Sequence, residues 1–422
     1  MKLEKFLKSS VLILSLLIST AVFIIAYCHI FDEAGLAAKK RLLDYPLLTF
    51  FITPFFFWIS AYLCRRYSPN ASGHHLQSAI NQLKKDSNSF EKVSDFLNAR
   101  LVIVKTVSSL ISSFGGGSLG KEGPSVHMSA GIFAVFADRY KRFLPKINLE
   151  TWVISGGAVG LTLVFNAPVA GIVFAAEKLF KMGYKSLKQS ILLAIISVIL
   201  VSIVFHKSNS MFLFHEVSFG NEAMWWPLIF TAAICGLLAF IFKSVCSYLY
   251  LKVCSIKSNL WHIVPVALGL VVACINFYSG IYSFSGGIQT IQQALSSDHT
   301  LLSYKEVGGR ILNTILTFSS GSAGGLIAPA MAIGAGIGSI ASTVALNADV
   351  GIFLLIGMAA FLSVVLGEPI TAAIIIFETT GQDIQALPFL LGATIISLMI
   401  WKVVEKIINF RFLERNLGNS RS

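Results

Sequence analysis

Glu122 and Lys121 are the residues of this chain whose chemistry most needs an explanation. They stand in residues 115–124, GGGSLGKEGP, a glycine-rich break inside strongly apolar sequence. In a membrane interior an ionisable side chain costs at least a few kcal/mol, so it faces a cavity or an ion path rather than lipid. A carboxyl group there can take up and release a proton. As a carboxylate it is itself an anion, able to fill an anion's place and, once protonated, to leave it. The GxxxP spacing of residues 120–124 supplies the other half of that chemistry, because amides just before a proline favour the first turn of a helix. A helix N-terminus presents unpaired N–H groups and the positive end of its dipole, which attract anions without a formal charge. Partial charges let an ion enter and leave, whereas a buried lysine or arginine would hold it too tightly. Residues 325–329, GLIAP, repeat the pattern with Ile327 in the place of Glu122, so two such ends would surround one anion.

The elements that must position these residues belong to a membrane. Of the 422 residues 55% are hydrophobic and 13% charged, with a mean hydropathy of +0.75, outside the range of soluble domains. Residues 11–27 form an uncharged run after Lys2, Lys5 and Lys8. The run is long for a signal peptide and no small-residue cleavage site follows, so it reads as a first membrane helix. Apolar runs recur as far as residues 387–401. Several fall short of the ~20 helical residues that a bilayer requires, and others are split by Gly and Pro. Broken backbone at membrane depth is tolerated where protein buries it or where it lines a cavity, so these breaks should converge on a site.

The net charge of +12 gathers at the ends of apolar runs, which is juxtamembrane charge and not a nucleic-acid footprint. Both termini are basic and are expected in the cytoplasm. Lys39, Lys40 and Arg41, one span further on, run against that assignment. Cys28, Cys64, Cys235, Cys246, Cys254 and Cys274 contain no CxxC pair and read as small core residues rather than a metal site or disulfide framework. No metal or cofactor is expected.

An internal repeat organises the chain. Ser72-Gly73 is echoed by Ser285-Gly286, Gly120–Pro124 by Gly325–Pro329, and Pro168 by Pro369, at offsets of 213, 205 and 201 residues. Glu177 and Glu378 each stand nine residues after their proline. The expected organisation is one transport domain, 1–422, with a first repeat at 1–205, a second at 222–410, and the boundary in the polar stretch 206–221. Two similar halves meeting at Gly/Pro-broken helices is a plan shared by many secondary transporters.

GKEGP resembles the GREGP signature of the CLC family of chloride channels and proton/chloride exchangers, and the resemblance extends over nearly the whole chain. It implies an all-α integral membrane protein of two inverted repeats with broken and partial helices, the CLC fold. It also implies a homodimer with one anion path per subunit, in a cell membrane, a bacterial inner membrane. No soluble regulatory domain like that of many eukaryotic members is expected after the last apolar run.

By the same resemblance Glu122 is the outer gate and proton acceptor. The backbone around Gly123, Pro124, Leu326 and Ile327 binds the anion, with isoleucine replacing the usual aromatic of the GxFxP motif. Ser72 matches the serine of the GSGIP motif only in part, since ASGHH keeps the serine and its glycine; it is also a good N-cap for a helix running towards Leu83. His74 and His75 read as a polar loop or cavity mouth, His127 as a packed histidine, and Lys121 as a brace. Two departures stand out. Where many exchangers carry two glutamates that bring protons from the cytoplasm, this chain has Glu177-Lys178, candidates for a proton path or inner gate. The tyrosine of the last helix is missing, with Asn409 or Phe410 nearest.

The function expected is chloride transport, by proton/chloride antiport gated by Glu122. Passive chloride conduction is the nearest rival and fluoride export a weaker one. A membrane hydrolase would need convergent acids or an activated nucleophile, and the sequence has no HExxH and no paired intramembrane aspartates, so no enzyme is expected. A membrane scaffold would leave the duplicated, broken segments unexplained.

Overall fold

A computed structural model describes residues 2–73, 79–81, 90–145, 147–181, 187–205, 211–212, 217, 225–295, 301–344 and 349–419. The described residues are almost all helical. The first half supplies α1 (Lys2–Asp44), α2 (Thr49–Tyr67), α3 (Ala99–Phe114), α4 (Glu122–Arg139), α5 (Leu149–Phe165), α6 (Pro168–Lys181) and α7 (Leu187–Phe205). The second supplies α8 (Trp225–Cys254), α9 (Ile263–Ser279), α10 (Ile288–Leu295), α11 (Tyr304–Ser319), α12 (Ile327–Ser342), α13 (Val350–Leu366), α14 (Pro369–Thr380) and α15 (Leu387–Asn419). α1 runs well past the apolar stretch that announces it and carries Lys39, Lys40 and Arg41 in its last turns. Residues 206–210, 213–216 and 218–224, across the expected repeat boundary, lie outside the described residues, as do His74, His75 and residues 82–89.

Two kinds of helix build the molecule. Parts of α1, α2, α8, α9 and α15 are long and apolar enough to cross a membrane, whereas α5, α12, α13 and α14 have only 12 to 17 residues. The short helices lie at the centre: α5, α12 and α13 are buried over nearly their whole length. With lipid as the alternative solvent, burial there rests on close packing of small residues rather than on escape from water. The α12–α13 contact shows how close that packing is. A Cβ on Gly334 would sit 2.3 Å from the carbonyl oxygen of Gly357, and one on Gly357 would sit 2.1 Å from that of Gly334. The two backbones touch, and only glycine at both positions permits it.

Corresponding segments take corresponding shapes. α3 and α11 both have 16 residues, and each is followed by a glycine at φ +86°, Gly116 and Gly321. α5 and α13 both have 17, and both end on a left-handed residue, Asn166 and Gly367. A proline, Pro168 or Pro369, then opens α6 and α14.

The two glutamates that follow those prolines cap each other's helices. Glu378 accepts hydrogen bonds from the amides of Val169 (3.0 Å) and Ala170 (2.6 Å) at the start of α6. Glu177 accepts from the amide (3.0 Å) and hydroxyl (2.8 Å) of Thr371 at the start of α14. Each carboxylate thus satisfies orphan donors at the positive end of its partner helix, which locks the two halves together here.

Candidate functional site

The two glycine-proline pentapeptides meet back to back. Gly120 N–H donates to the Gly325 carbonyl at 2.8 Å, and Gly325 N–H donates to the Gly120 carbonyl at 2.8 Å. A Cβ on Gly325 would lie 2.6 Å from the Gly123 nitrogen, so the glycines make this approach possible. From the bridge α4 and α12 start at Glu122 and Ile327, with Pro124 and Pro329 in the third helical position of each. Proline is accommodated there because first-turn N–H groups have no partner within the helix.

Glu122 is wholly buried. Its side chain folds back across the bridge: an ideal Cβ on Gly120 would fall 2.0 Å from Glu122 Oε2 and 3.2 Å from the Ala328 Cβ. The carboxylate therefore lies between the start of its own helix and the start of α12. The amides of Glu122 and Ala328 approach it, yet neither oxygen has a partner in hydrogen-bond geometry.

Glu122 and Gly123 open to different cavities. Glu122 and Lys121 line one of about 380 Å³ with Asp32, Lys39 and the 285–287 loop. Gly123, Leu326 and Ile327 line another of about 640 Å³, together with Lys105, Lys178, Lys181, Lys243 and Glu368. The boundary between the two cavities falls at the Glu122–Gly123 peptide.

The partners of several supports were not legible in the sequence. Lys121 braces onto α1 through Asp32, Nζ to Oδ2 at 2.5 Å. The loop carrying Ser285 covers the bridge, with Ser285 itself at φ +49°. Buried Arg310 holds that loop, donating to the carbonyls of Phe284 (3.1 Å), Ser285 (3.2 Å) and Tyr282.

Ser72 is set apart from the other predicted anion ligands. Its hydroxyl donates to the Pro69 carbonyl at 2.8 Å and meets the Tyr250 hydroxyl at 2.8 Å. It lines a third cavity, of about 340 Å³, beside Arg65 and Ser320. The Tyr250 ring presses on Gly73, where a Cβ would come within 2.8 Å of it, and Lys105 Nζ donates to the Gly73 carbonyl at 3.3 Å. A tyrosine therefore reaches the serine motif, delivered by α8. Asn409 and Phe410 belong to α15, which continues unbroken to Asn419. The helix that Ser72 was expected to cap begins in residues outside the described set.

Glu177 and Lys178 both have partners. The Glu177 carboxylate is engaged at the start of α14, with Lys181 4.0 Å away. Lys178 Nζ lies 2.6 Å from Glu368 Oε1, and Lys181 binds the other oxygen of the same carboxylate. Glu368, the residue before Pro369, was missed; the signal available was an acid where the twin position holds Ala167. His127 is buried and hydrogen-bonds the Phe96 carbonyl at 2.8 Å, as a packed histidine should.

Comparison with known proteins bears on the family and the fold. Residues 56–402 match the family model described as voltage gated chloride channel. The chain is 28% identical over 378 residues to the H(+)/Cl(-) exchange transporter ClcA of Klebsiella pneumoniae (strain 342), covering 83% of this chain and 75% of the relative. It is 26% identical over 380 residues to the exchange transporter of the same name from Vibrio campbellii, covering 86% and 78%. In fold it is similar to a slow cyanobacterial Cl-/H+ antiporter, with a TM-score of 0.77 at 18% identity over 98% of this chain and 99% of the other. A CLC-type fluoride/proton antiporter gives 0.74 at 19% identity over 95% and 97%. The chain belongs to the voltage-gated chloride channel family, the CLC family of membrane anion-transport proteins.

Proposed function

We propose that the chain exchanges chloride for protons, with Glu122 as the coupling gate. The observation that carries this reading is the position of its carboxylate: buried, without a hydrogen-bond partner, between two helix starts, and on the boundary of two cavities. A carboxylate held there by backbone dipoles takes the place a halide would take. Protonation removes the charge that holds it, the side chain swings into the Lys121-side cavity, and chloride binds to the vacated amides around Gly123, Pro124, Leu326 and Ile327. Return of the carboxylate expels the halide and releases the proton. Chloride flux should accordingly rise as the pH on the Glu122 side falls. At the other end, Tyr250, which lines the lysine-rich cavity and hydrogen-bonds Ser72, closes the path in the role that the resemblance gives to the tyrosine missing from the last helix.

The lysine-rich cavity faces the cytoplasm in this proposal, and both termini lie on that side of a bacterial inner membrane. The charges that oppose this orientation have local work. Lys39 donates to Gln289 at 3.0 Å, and Arg41 donates to the Phe114 carbonyl at 2.6 Å and covers the Phe114 ring. A homodimer with one path per subunit completes the reading.

Passive chloride conduction is the second reading, favoured by one feature: Lys178 and Lys181 hold Glu368 from both sides, so the cytoplasmic cavity offers protons no free carboxylate among its described lining residues.

Purified protein in liposomes under a chloride gradient, with external pH recorded, separates the readings. Antiport predicts chloride-driven proton movement that Glu122→Gln abolishes while chloride still flows. Chloride flux without proton movement in the wild type would replace it with conduction. Fluoride movement in preference to chloride would replace the substrate, and movement of neither would end the transport reading.

A further inference from the structure

The corner where α2 ends and α9 begins carries positive charge that its own segments do not balance. Arg65 donates to the carbonyl of Ile256, the residue before Lys257, and its guanidinium lies 4.8 Å from the centroid of the Trp261 ring. Arg66 and Lys257 are exposed beside it. Residues 45–85 and 223–297, from which α2, α9 and the turn between α8 and α9 come, contain no Asp or Glu. Among the described residues none of these three cations forms an ion pair. A guanidinium offers five donors in a fixed fork, so one carbonyl leaves Arg65 with donors to spare in the geometry that suits a phosphate. An aromatic layer adjoins the cations. Tyr62 stacks on Trp261 with ring centroids 6.3 Å apart, and Trp58 Nε1 donates to His262 Nδ1 at 3.0 Å, joining α2 to the start of α9. Further along, both helices expose apolar side chains at helical spacing, Phe51 and Phe55 on α2 and Ile263, Val266 and Leu270 on α9. A Cβ on Gly269 would come within 2.7 Å of the Pro54 Cα. Phe55 and Leu270 are the next residues along, so both sets border one seam.

We propose that this corner binds one anionic phospholipid of the surrounding leaflet. Arg65, Arg66 and Lys257 hold its phosphate, Trp261 and Tyr62 flank its glycerol region, and its acyl chains lie along the α2–α9 seam. The order of the layers carries the assignment: cations, then aromatics, then apolar side chains on two helices long enough to cross a membrane. The same order runs from headgroup through interface to chain in a bilayer, and clustered basic residues at a helix end select anionic headgroups. A free phosphate would satisfy the cations and leave the seam unused. The lipid sits on the outside of the helices, and its binding does not depend on the transport reading.

Phosphatidylglycerol is the probe, with phosphatidylcholine as the zwitterionic control and glycerol phosphate as the headgroup without chains. Native mass spectrometry of the full-length protein, released from detergent carrying equal amounts of the two lipids, should show phosphatidylglycerol retained at least tenfold over phosphatidylcholine. Replacing both arginines, Arg65→Gln with Arg66→Gln, should abolish that preference, whereas Lys402→Gln, an exposed cation on α15, should leave it intact. Should the arginine variant not fold, Lys257→Gln, a change at an exposed residue, should weaken the preference severalfold. An excess of glycerol phosphate should not displace the lipid. Equal retention of the two lipids overturns the proposal, as does a preference unchanged in the arginine and Lys257 variants. Loss of the preference in Lys402→Gln to the same extent would reduce it to net charge and overturn the site. Full displacement by glycerol phosphate would make it a site for free phosphate and overturn the lipid.

Discussion

Glu122 and Ile327 take the first helical position of α4 and α12. Both follow a glycine at φ +86° by the same number of residues, and the same pair of hydrogen bonds joins the backbones behind them. The surroundings of the two side chains differ. Glu122 is fully buried on the Lys121 side with both carboxylate oxygens unbonded, while Ile327 keeps 6% exposure towards the lysine-rich cavity. A shared backbone frame therefore builds two anion-attracting ends, and one substitution turns one of them into a carboxylate that can occupy the space between them. In the proposed mechanism the frame makes the site, and the acid makes it responsive to protons.

The largest expected effect tests that division of labour. Glu122→Ala should eliminate proton movement and leave chloride flux insensitive to pH, whereas Ile327→Ala should keep coupling and lose about 2 kcal/mol of stability from the emptied volume. Parallel proton and chloride recordings, with thermal unfolding in detergent, read both. Equal loss of coupling in the two variants would mean that the twins are not functionally distinct.

The bridge glycines sharpen the comparison next. At Gly120 an added methyl meets the movable end of a side chain, Glu122 Oε2 at 2.0 Å. At Gly325 it meets backbone, the Gly123 nitrogen at 2.6 Å. Gly120→Ala should fold, push the carboxylate from between the helix starts, and give chloride flux with weakened proton coupling. Gly325→Ala should break the bridge and lose flux altogether, with a lower unfolding temperature. Full coupling in Gly120→Ala would show that the folded-back position of Glu122 is not its resting state.

These contrasts also show which parts of the molecule could be read from sequence. Residues 120–124 and 325–329 were legible because glycine, proline and an intramembrane acid act through local backbone geometry, and the repeat places each segment opposite the other. Tyr250 was not: it meets Ser72 across 178 residues of chain. Asp32, Arg310 and Glu368 were missed for the same reason, since each matters through a partner on another helix. Glu177 and Glu378 were legible as repeat landmarks through their equal spacing from Pro168 and Pro369, whereas the reciprocal caps they form depend on partners on another helix. The end of α1 was hidden because Lys39, Lys40 and Arg41 look like a helix boundary in an apolar chain, whereas contacts with Gln289 and Phe114 absorb two of them inside the helix.

A middle-sized effect is expected at Glu368. Glu368→Gln leaves Lys178, 12% exposed, facing a neutral amide and should cost ~3 kcal/mol, because breaking a buried ion pair strands a charge. Adding Lys178→Met should recover much of that loss, since a volume-matched apolar pair is often as stable as the ion pair it replaces. Thermal unfolding of the two single variants and the double variant closes the cycle. A double variant less stable than either single one would show that the pair holds the fold rather than tuning the cavity.

The smallest effects come from the reciprocal caps, and they bear on what Glu177 does. Each glutamate neutralises donors at a helix start, so Glu177→Gln and Glu378→Gln should each cost about 1 kcal/mol, the usual value of an N-terminal cap. The loss should be greater at Glu177, whose side chain is only 9% exposed. Glutamine can still accept from Thr371, so it keeps the geometry while removing the charge that complements the dipole. Proton coupling in Glu177→Gln is then the deciding measurement. Coupling that survives alongside a modest fall in unfolding temperature identifies a cap. Coupling that vanishes at unchanged stability would move Glu177 from the frame to the proton route, and with it the distinction between a backbone that builds the site and a single acid that works it.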